Sequence, residues 1–242
     1  PLFKNNSELV GVIIAGLVVF ILGFIDDIHE VSAPMKVTGV VVAAIALVWF
    51  GVTMIYFRAP FVDVFVLSGD WIPLFTVLWL LGMTQAINLI DGLDGLATGI
   101  VAIASLAFFV YSRNLGVNGL LSEPNIGPLV AIITVGICIG FLPFNFNPAK
   151  IFMGDTGSLI IGLVCVVLAI KFIELNKVGA KPDPNFYSAP AIAVAVLIIP
   201  IFDSLRIFFI RLLHKKHPFK GDRNHVHHRL QRLGFTTNQI VI

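Results

Sequence analysis

Charged residues are scarce in this chain. Asp, Glu, Lys and Arg make up 12% of its 242 residues, whereas they make up about 25% of an ordinary soluble domain. Together with the high apolar content this scarcity excludes a disordered protein and is atypical of a cytosolic enzyme. The net charge is only +2, and no basic tract accompanies a soluble domain. The sequence therefore predicts no nucleic-acid partner.

Cysteine is equally scarce, with only Cys138 and Cys165 in the chain. Two cysteines cannot form the dense disulfide framework of a small secreted scaffold. Both lie inside apolar runs, so we interpret them as small core or lipid-facing residues.

Apolar residues are abundant instead, at 57% of the chain with a mean hydropathy of +0.96. A membrane-spanning helix needs about 20 mostly apolar residues. Seven stretches qualify: Leu9–Ile25, Val37–Phe57, Trp71–Leu89, Leu96–Tyr111, Ile126–Phe144, Gly157–Ile173 and Ala189–Leu213. The sequence therefore predicts an all-α polytopic membrane protein, with residues 1–242 in a single membrane domain. One connection also contains an alternating run, Phe61–Leu67, that predicts a short strand in an external hairpin.

The order of the spans assigns each connection to one side of the membrane. The connections after spans 1, 3, 5 and 7 share a side, and with their flanking residues they carry ten of the 16 Lys and Arg residues. The positive-inside rule makes this side cytoplasmic.

Adjacent and regularly spaced carboxylates lie on that side. Asp26 and Asp27 end the first span, and adjacent carboxylates repel unless a cation or a proton intervenes, so they are either a solvated helix end or a metal or general-base site. Asn88, Asp91 and Asp94 step by three residues, which on a continuous helix would make one polar stripe. The glycines between them make that continuous helix doubtful and allow the backbone to approach a ligand.

A third polar segment, Asn145–Ser158, leads into the sixth span. The free N–H groups at the start of that helix point toward any nearby anion. Thr156 is a candidate helix cap, and Asp155 either caps the helix or holds a metal. Phe152 is either a stacking platform for a base or an interfacial anchor.

The fourth segment, Asp222–Arg229, contains three histidines: His225, His227 and His228. With the flanking arginines, including Arg229, they suit a phosphate that carries several charges. A solvated interfacial tail and a zinc site are the alternatives, but no cysteine or carboxylate at ligand spacing completes a zinc site. Asp203 and Arg206 stand at i, i+3 in the last span and predict a structural ion pair or a polar floor beneath the site.

Together these residues suit one class of reaction. Oxygen-rich carboxylates match Mg²⁺, cationic groups match phosphates, and the membrane location matches a lipid-linked substrate. The combination predicts phosphoryl transfer from a soluble nucleotide to a membrane acceptor.

Four ordered motifs resemble the polyprenyl-phosphate N-acetylhexosamine-1-phosphate transferases, the superfamily that includes MraY, WecA and TagO. They are FIDD at 24–27, NLIDGLDGLATG at 88–99, NFNPAKIFMGDTGS at 145–158 and HVHHRL at 225–230. The resemblance implies transfer of a sugar 1-phosphate from a UDP-N-acetylhexosamine to undecaprenyl phosphate in the bacterial cytoplasmic membrane, with the site facing the cytoplasm. It implies Mg²⁺ as the cofactor, with Mn²⁺ as an alternative, and leaves a homodimer open.

The resemblance also implies roles for individual residues. The catalytic set is Asp26, Asp27 and Asp94, and the metal set is Asp155 and Asp91. The nucleotide set is Asn88, Asp91, Asn145 and Phe152, with Phe152 stacking on uracil. The set that binds phosphate or sugar is His225, His227, His228 and Arg229.

The histidine motif resembles the WecA/TagO branch, which favours UDP-GlcNAc over the muramoyl-pentapeptide nucleotide as donor. The family fold has roughly ten or eleven helices, so we expect helices before Pro1 and after Leu233. Three alternatives stay open: a phospho-MurNAc-pentapeptide translocase, a CDP-alcohol phosphotransferase and a secondary transporter. A transporter would hold its carboxylates near the bilayer midplane rather than at helix ends.

Overall fold

A computed structural model describes residues 7–57, 65–117, 126–175 and 230–241, together with 202–203, 206, 209–211 and 213. Its helices are α1 (Ser7–His29), α2 (Ala33–Trp49), α3 (Ile72–Ile90), α4 (Leu96–Val117), α5 (Gly127–Asn145), α6 (Gly154–Leu175) and α7 (Thr237–Val241). Two short strands, β1 (Tyr56–Phe57) and β2 (Phe65–Val66), pair antiparallel. The paired strand β2 lies within the run that the sequence assigns to an external hairpin.

Five of the helices are long and apolar enough to cross a membrane: α1, α3, α4, α5 and α6. Helix α2 is also apolar but has only 17 residues. Of the seventh predicted span, Ala189–Leu213, the few described residues are helical and the others lie outside the described part of the chain. The prediction of an all-α, polytopic membrane protein is confirmed.

Helix α6 is the centre of the bundle. It contacts α1, α3, α4 and α5. Of its apolar 18-residue stretch 67% is buried inside the bundle, whereas the corresponding fraction for α1 is 22%. Its neighbours approach closely where their side chains are small. A Cβ atom added at Gly162 of α6 would lie 2.8 Å from the Cα atom of Thr84 in α3. Small residues at helix contacts are the usual way in which membrane helices pack, since the lipid provides no hydrophobic driving force.

Helix α1 has two unlike faces. Its buried face carries small or slender residues every fourth position, including Gly11, Ala15 and Val19, and ends at Gly23. A Cβ atom at Gly23 would lie 2.5 Å from the Cα atom of Thr156, so the end of α1 packs directly against the start of α6. This contact determines where along the axis of α6 the following residues, Asp26 and Asp27, are placed.

The opposite face of α1 is apolar and exposed. Leu17, Ile21, Phe24 and Ile28 each have more than half of their surface accessible. Their spacing places them on one side of the helix. An exposed apolar stripe of this length on a candidate span is the surface that a bilayer would cover.

The second span differs from its prediction, Val37–Phe57. Helix α2 begins earlier, because Pro34 in its first turn has the backbone angle that a helix start requires. It ends at Trp49, because Gly51 adopts a φ of +90° and the N–H groups of Gly51 and Val52 donate to the carbonyl oxygens of Val48 and Leu47. This pair of hydrogen bonds is a Schellman ending. Residues 50–57 therefore leave the helix and lead into strand β1.

Candidate active site

The polar segments of the sequence meet at one end of the bundle. Contacts join the end of α1, the start of α2, the end of α3 and the start of α6. At the opposite end Glu8 of α1 forms a 2.7 Å ion pair with Lys171 of α6, so these two helices run antiparallel. The prediction that the acidic motifs share one side of the molecule agrees with this arrangement.

Asp27 caps helix α6. Its carboxylate accepts the N–H groups of Asp155 at 2.7 Å and Thr156 at 3.1 Å, and the Thr156 hydroxyl at 2.5 Å. The helix N-terminus therefore does attract an anion, but the anion is a side chain of α1. The sequence suggested Thr156 as the cap, and this was wrong because the threonine hydroxyl donates to Asp27 instead. Gly154 makes room: its φ is +66°, and a Cβ atom there would lie 2.8 Å from an Asp27 oxygen.

Lys36 bridges two carboxylates. Its ammonium contacts Asp26 Oδ2 and lies 2.5 Å from Asp155 Oδ2. Sequence reasoning counted Lys36 only as a positive charge and missed this role. A signal was available, because Lys36 is the only charged residue between Glu30 and Arg58. A cation in the first turn of a helix is disfavoured by the helix dipole unless it has a partner.

Asn88 completes the contacts of Asp155. Its amide nitrogen donates to Asp155 Oδ1 at 2.8 Å and is also 2.8 Å from the Ser158 hydroxyl oxygen. Each oxygen of Asp155 therefore has its own partner, one from α3 and one from α2. On the other side of the lysine, Asp26 is 7% exposed and its Oδ1 accepts the Val31 N–H at 2.6 Å. Both carboxylates are held in fixed orientations by groups from separate segments.

The helical stripe through Asn88, Asp91 and Asp94 does not form. Helix α3 ends at Ile90, and Gly95 turns the chain with a φ of +80° before α4 begins. Asp94 instead accepts the Ala149 N–H at 3.1 Å, which ties this turn to the segment before α6. The glycine-based expectation of a broken helix is confirmed.

Asp91 has an altered acidity. Burial raises the pKa of its carboxyl to about 7, and the negative charges of Asp155, Asp94 and Asp27 add to the effect. A carboxyl group in this state exchanges its proton near neutral pH. Groups of this kind cluster at functional sites.

Asn145 lies beneath the site rather than in it. It is 2% exposed, and its side-chain oxygen accepts the Gly95 N–H at 3.1 Å and the Thr98 hydroxyl at 2.9 Å. Its amide donates to the Ile151 carbonyl oxygen at 3.1 Å. These contacts hold the turn before α4 against the segment before α6. The nucleotide-binding role of Asn145 stays a prediction.

Phe152 lies on the surface, with 75% of the residue exposed. Its ring is accessible to a planar ligand, as a stacking platform requires. The predicted phosphate-binding residues His225, His227, His228 and Arg229 lie outside the described residues. The predicted pair in the last span is present, since Arg206 is 3.0 Å from Asp203.

The donor atoms at this end of the bundle are those that Mg²⁺ prefers, namely carboxylate oxygens. Among the described residues no three His, Cys, Asp or Glu side chains converge closely enough to hold a metal ion. The position where the carboxylates of α1 and α6 meet is instead held by the Lys36 ammonium. These carboxylate oxygens are thus of the type that binds a hard cation such as Mg²⁺, and the Lys36 ammonium lies between them.

Comparison with known proteins identifies the family. A sequence model described as glycosyl transferase family 4 matches residues 9–173, which include every described contact of the carboxylate cluster. The chain belongs to glycosyl transferase family 4. The resemblance that the four motifs suggested is therefore confirmed.

Two of the following relatives align with almost the whole chain, and a third aligns with about two thirds of it. A probable undecaprenyl-phosphate N-acetylglucosaminyl 1-phosphate transferase of Bacillus subtilis is 34% identical over 98% of this chain and 62% of its own length. A decaprenyl-phosphate N-acetylglucosaminephosphotransferase of Mycobacterium tuberculosis is 33% identical over 99% of this chain and 61% of its own length. A phospho-N-acetylmuramoyl-pentapeptide-transferase of Desulfitobacterium hafniense is 38% identical over 69% of this chain and 54% of its own length. The chain thus spans about 60% of the length of the curated relatives it matches over nearly its whole extent.

Proposed function

We propose that this chain carries the catalytic core of an enzyme that transfers N-acetylglucosamine 1-phosphate from UDP-GlcNAc to a polyprenyl phosphate, most simply undecaprenyl phosphate. The products are the polyprenyl-diphospho-sugar and UMP. The enzyme lies in the bacterial cytoplasmic membrane, and the cluster around Asp155 faces the cytoplasm, where UDP-sugars are made.

One observation carries the proposal. Asp26, Lys36, Asn88 and Asp155 come from four helices and meet at one end of a bundle of candidate membrane spans. Ionisable residues buried among membrane spans, as Asp26 is, are energetically costly and usually mark a functional site. This position is within reach of both a soluble nucleotide and the head group of a membrane lipid. The names of the two relatives that align over nearly all of the chain support transfer of N-acetylglucosamine 1-phosphate to a polyprenyl phosphate.

The reaction needs positioning and charge control more than covalent chemistry by the protein. An oxygen of the acceptor phosphate attacks the phosphorus that bears the sugar. The bond between that phosphorus and the oxygen bridging it to the uridine phosphate breaks, and UMP leaves with that oxygen. Mg²⁺, when bound by oxygen donors such as Asp155 and Asp91, would neutralise the charge that develops on the diphosphate.

The chain's own residues divide the remaining tasks. Phe152 offers an exposed ring on which uracil can stack. Asp27 holds the first turn of α6 in place and thereby positions Asp155. Asp94 and Asn145 hold the turn between α3 and α4 against the segment that carries Phe152. His225, His227, His228 and Arg229 supply cationic donors to the phosphates.

Asp155→Asn in the full-length protein tests the assignment. The exchange removes one ionised oxygen and should abolish release of UMP from UDP-GlcNAc in the presence of undecaprenyl phosphate and Mg²⁺. Asp70→Asn is the matched control, because Asp70 is exposed in the turn before α3, at the other end of the bundle. Near-normal turnover by Asp155→Asn at saturating Mg²⁺ would contradict the role of Asp155.

The donor is tested by competition. The full-length protein is given equal amounts of UDP-GlcNAc, UDP-GalNAc and UDP-MurNAc-pentapeptide, and the lipid products are separated. We expect lipid-linked GlcNAc and essentially no pentapeptide product. Preferential use of the pentapeptide donor would assign the chain to the other branch of the family.

The orientation is tested by labelling. A cysteine placed at Ser32, in the connection between α1 and α2, should react with an impermeant reagent only from the cytoplasmic side. One placed at Ser68, in the connection that leads into α3, should react only from outside. The reverse pattern would contradict a cytoplasmic site.

A further inference from the structure

The cation between the two carboxylates belongs to the chain itself. The Lys36 ammonium contacts Asp26 of α1 and Asp155 of α6. Among the described residues, Lys36 supplies both ion pairs of this cluster. Asp26 and Asp155 would repel each other at this distance without a positive charge between them, and the lysine offsets part of that repulsion.

A divalent cation bound by both Asp26 and Asp155 would occupy the place of the lysine ammonium. The oxygen of Asp155 that faces Lys36 is Oδ2, because Oδ1 is taken by the Asn88 amide. The oxygen of Asp26 that faces Lys36 is also Oδ2, because Oδ1 accepts the Val31 N–H. A metal that is to bind both carboxylates must therefore use the two oxygens that now contact the ammonium.

We infer that Lys36 is a built-in counter-cation, which holds the Asp26–Asp155 pair together in the metal-free protein and is displaced when a divalent cation binds. The inference rests on the metal-dependent site of the proposed function. The carboxylates need not move for this exchange, since Val31 and Asn88 hold their other oxygens. Only the ammonium has to leave.

Lys36 is built for such a movement. It lies in the first turn of α2, and its side chain is 27% exposed, as is that of Asp155. A four-carbon stem with rotatable bonds can carry its ammonium out to water while the helix stays in place. The planar guanidinium of an arginine would hold its charge in a more rigid geometry. The result is a pair of carboxylates that stay in place, with their repulsion partly offset, before the metal arrives.

Metal affinity without substrate is the first test. Binding of Mn²⁺ is followed by electron paramagnetic resonance on the full-length protein in lipid nanodiscs, with Mg²⁺ as the competitor. Lys36→Met should bind the metal about tenfold more tightly than the wild type, which is about 1.4 kcal/mol, because the metal no longer has to displace the ammonium from two carboxylates. Lys150→Met is the matched control, since Lys150 is an exposed cation that precedes α6 in the same segment as Phe152. Equal affinities of Lys36→Met and Lys150→Met, or weaker binding by Lys36→Met, would overturn the inference.

Lysine reactivity in the unmodified protein is the second test, and it does not depend on the variant folding. The rate of reductive methylation of Lys36 is measured by mass spectrometry with and without Mg²⁺ at constant ionic strength. Displacement predicts that Mg²⁺ raises the rate at Lys36 several-fold and leaves Lys150 unchanged. An unchanged or lower rate at Lys36 would overturn the inference.

The two experiments are independent of turnover. A protein that shows the exchange of Lys36 for metal but releases no UMP from UDP-GlcNAc would retain the counter-cation and refute the proposed reaction. A protein that releases UMP but shows no exchange would retain the reaction and refute the counter-cation.

Discussion

Removal of the Asp27 carboxylate should loosen the start of α6. The carboxylate accepts three hydrogen bonds from Asp155 and Thr156, and two of them satisfy backbone N–H groups that a helix N-terminus otherwise leaves without partners. Asp27→Ala deletes all three at once. Thr156→Val deletes only the hydroxyl donor and leaves the two backbone donors in place.

The magnitude follows from the exposure of the site. Loss of a helix cap costs about 1 kcal/mol, within a range of roughly 0.5–2 kcal/mol. Asp27 is an exposed residue, so water replaces part of what is lost and we expect about 1 kcal/mol for Asp27→Ala. That corresponds to a fall in melting temperature of roughly 2–4 °C for a chain of this size. For Thr156→Val we expect about a third of this loss, since one donor of three is removed.

Hydrogen exchange gives the local readout. In Asp27→Ala the backbone amides of Asp155 and Thr156 should exchange about fivefold faster, the factor that corresponds to about 1 kcal/mol. Amides in the second half of α6 should not change. Asp70→Ala serves as the control, because it deletes an exposed carboxylate far from α6. Unchanged exchange at Asp155 and Thr156 in Asp27→Ala would refute the capping role, whatever happens to the enzymatic activity.

Three further predictions concern pH, packing and nucleotide binding. The pKa of Asp91 is raised to about 7, so below pH 7 the carboxyl keeps a proton that a metal must displace. Apparent Mn²⁺ affinity should therefore rise with pH up to about 7 and then level off, and a titration of Asp91→Asn should lack this dependence. Gly162→Ala should lower the free energy of unfolding by about 1–3 kcal/mol, because the added Cβ atom would lie 2.8 Å from the backbone of Thr84. Gly136→Ala is the control and should leave stability unchanged, because a Cβ atom there meets nothing within 4 Å. Equal effects of the two exchanges would contradict the close packing of α3 and α6. Phe152→Ala should weaken binding of UDP-GlcNAc about tenfold while leaving the melting temperature unchanged, since the ring is exposed; unchanged binding in a calorimetric titration would contradict the stacking role.

The sequence alone predicted the helices well because their signal is strong. Apolar runs of the required length rarely occur outside membrane spans, and of the six predicted spans that lie within the described residues, five correspond to helices that fit a membrane. The exception, the second span, depended on Gly51, whose positive φ ends α2 at a point where the apolar composition continues. The apolar composition of a segment does not reveal where its helix ends when the ending depends on a single backbone angle.

The acidic residues of the site were also predicted, because carboxylates are conspicuous in an apolar chain. Their individual contacts were not, since these depend on which helices adjoin. Asp27 caps a helix 128 positions away in the chain, and Lys36 pairs with a carboxylate 119 positions away. Asn145 shows the same limit, because its motif did not reveal that its side chain joins the turn before α4 to the segment before α6.

The fate of the two phosphorus atoms of the donor tests the proposed reaction most directly. The full-length protein is supplied with undecaprenyl phosphate, Mg²⁺ and UDP-GlcNAc labelled separately at each phosphorus, and the lipid and aqueous products are analysed. Transfer of the sugar phosphate predicts that the phosphorus attached to GlcNAc enters the lipid together with the sugar, while the phosphorus attached to uridine leaves as UMP. Transfer of the sugar alone, with both labels released as UDP, would contradict the proposed reaction.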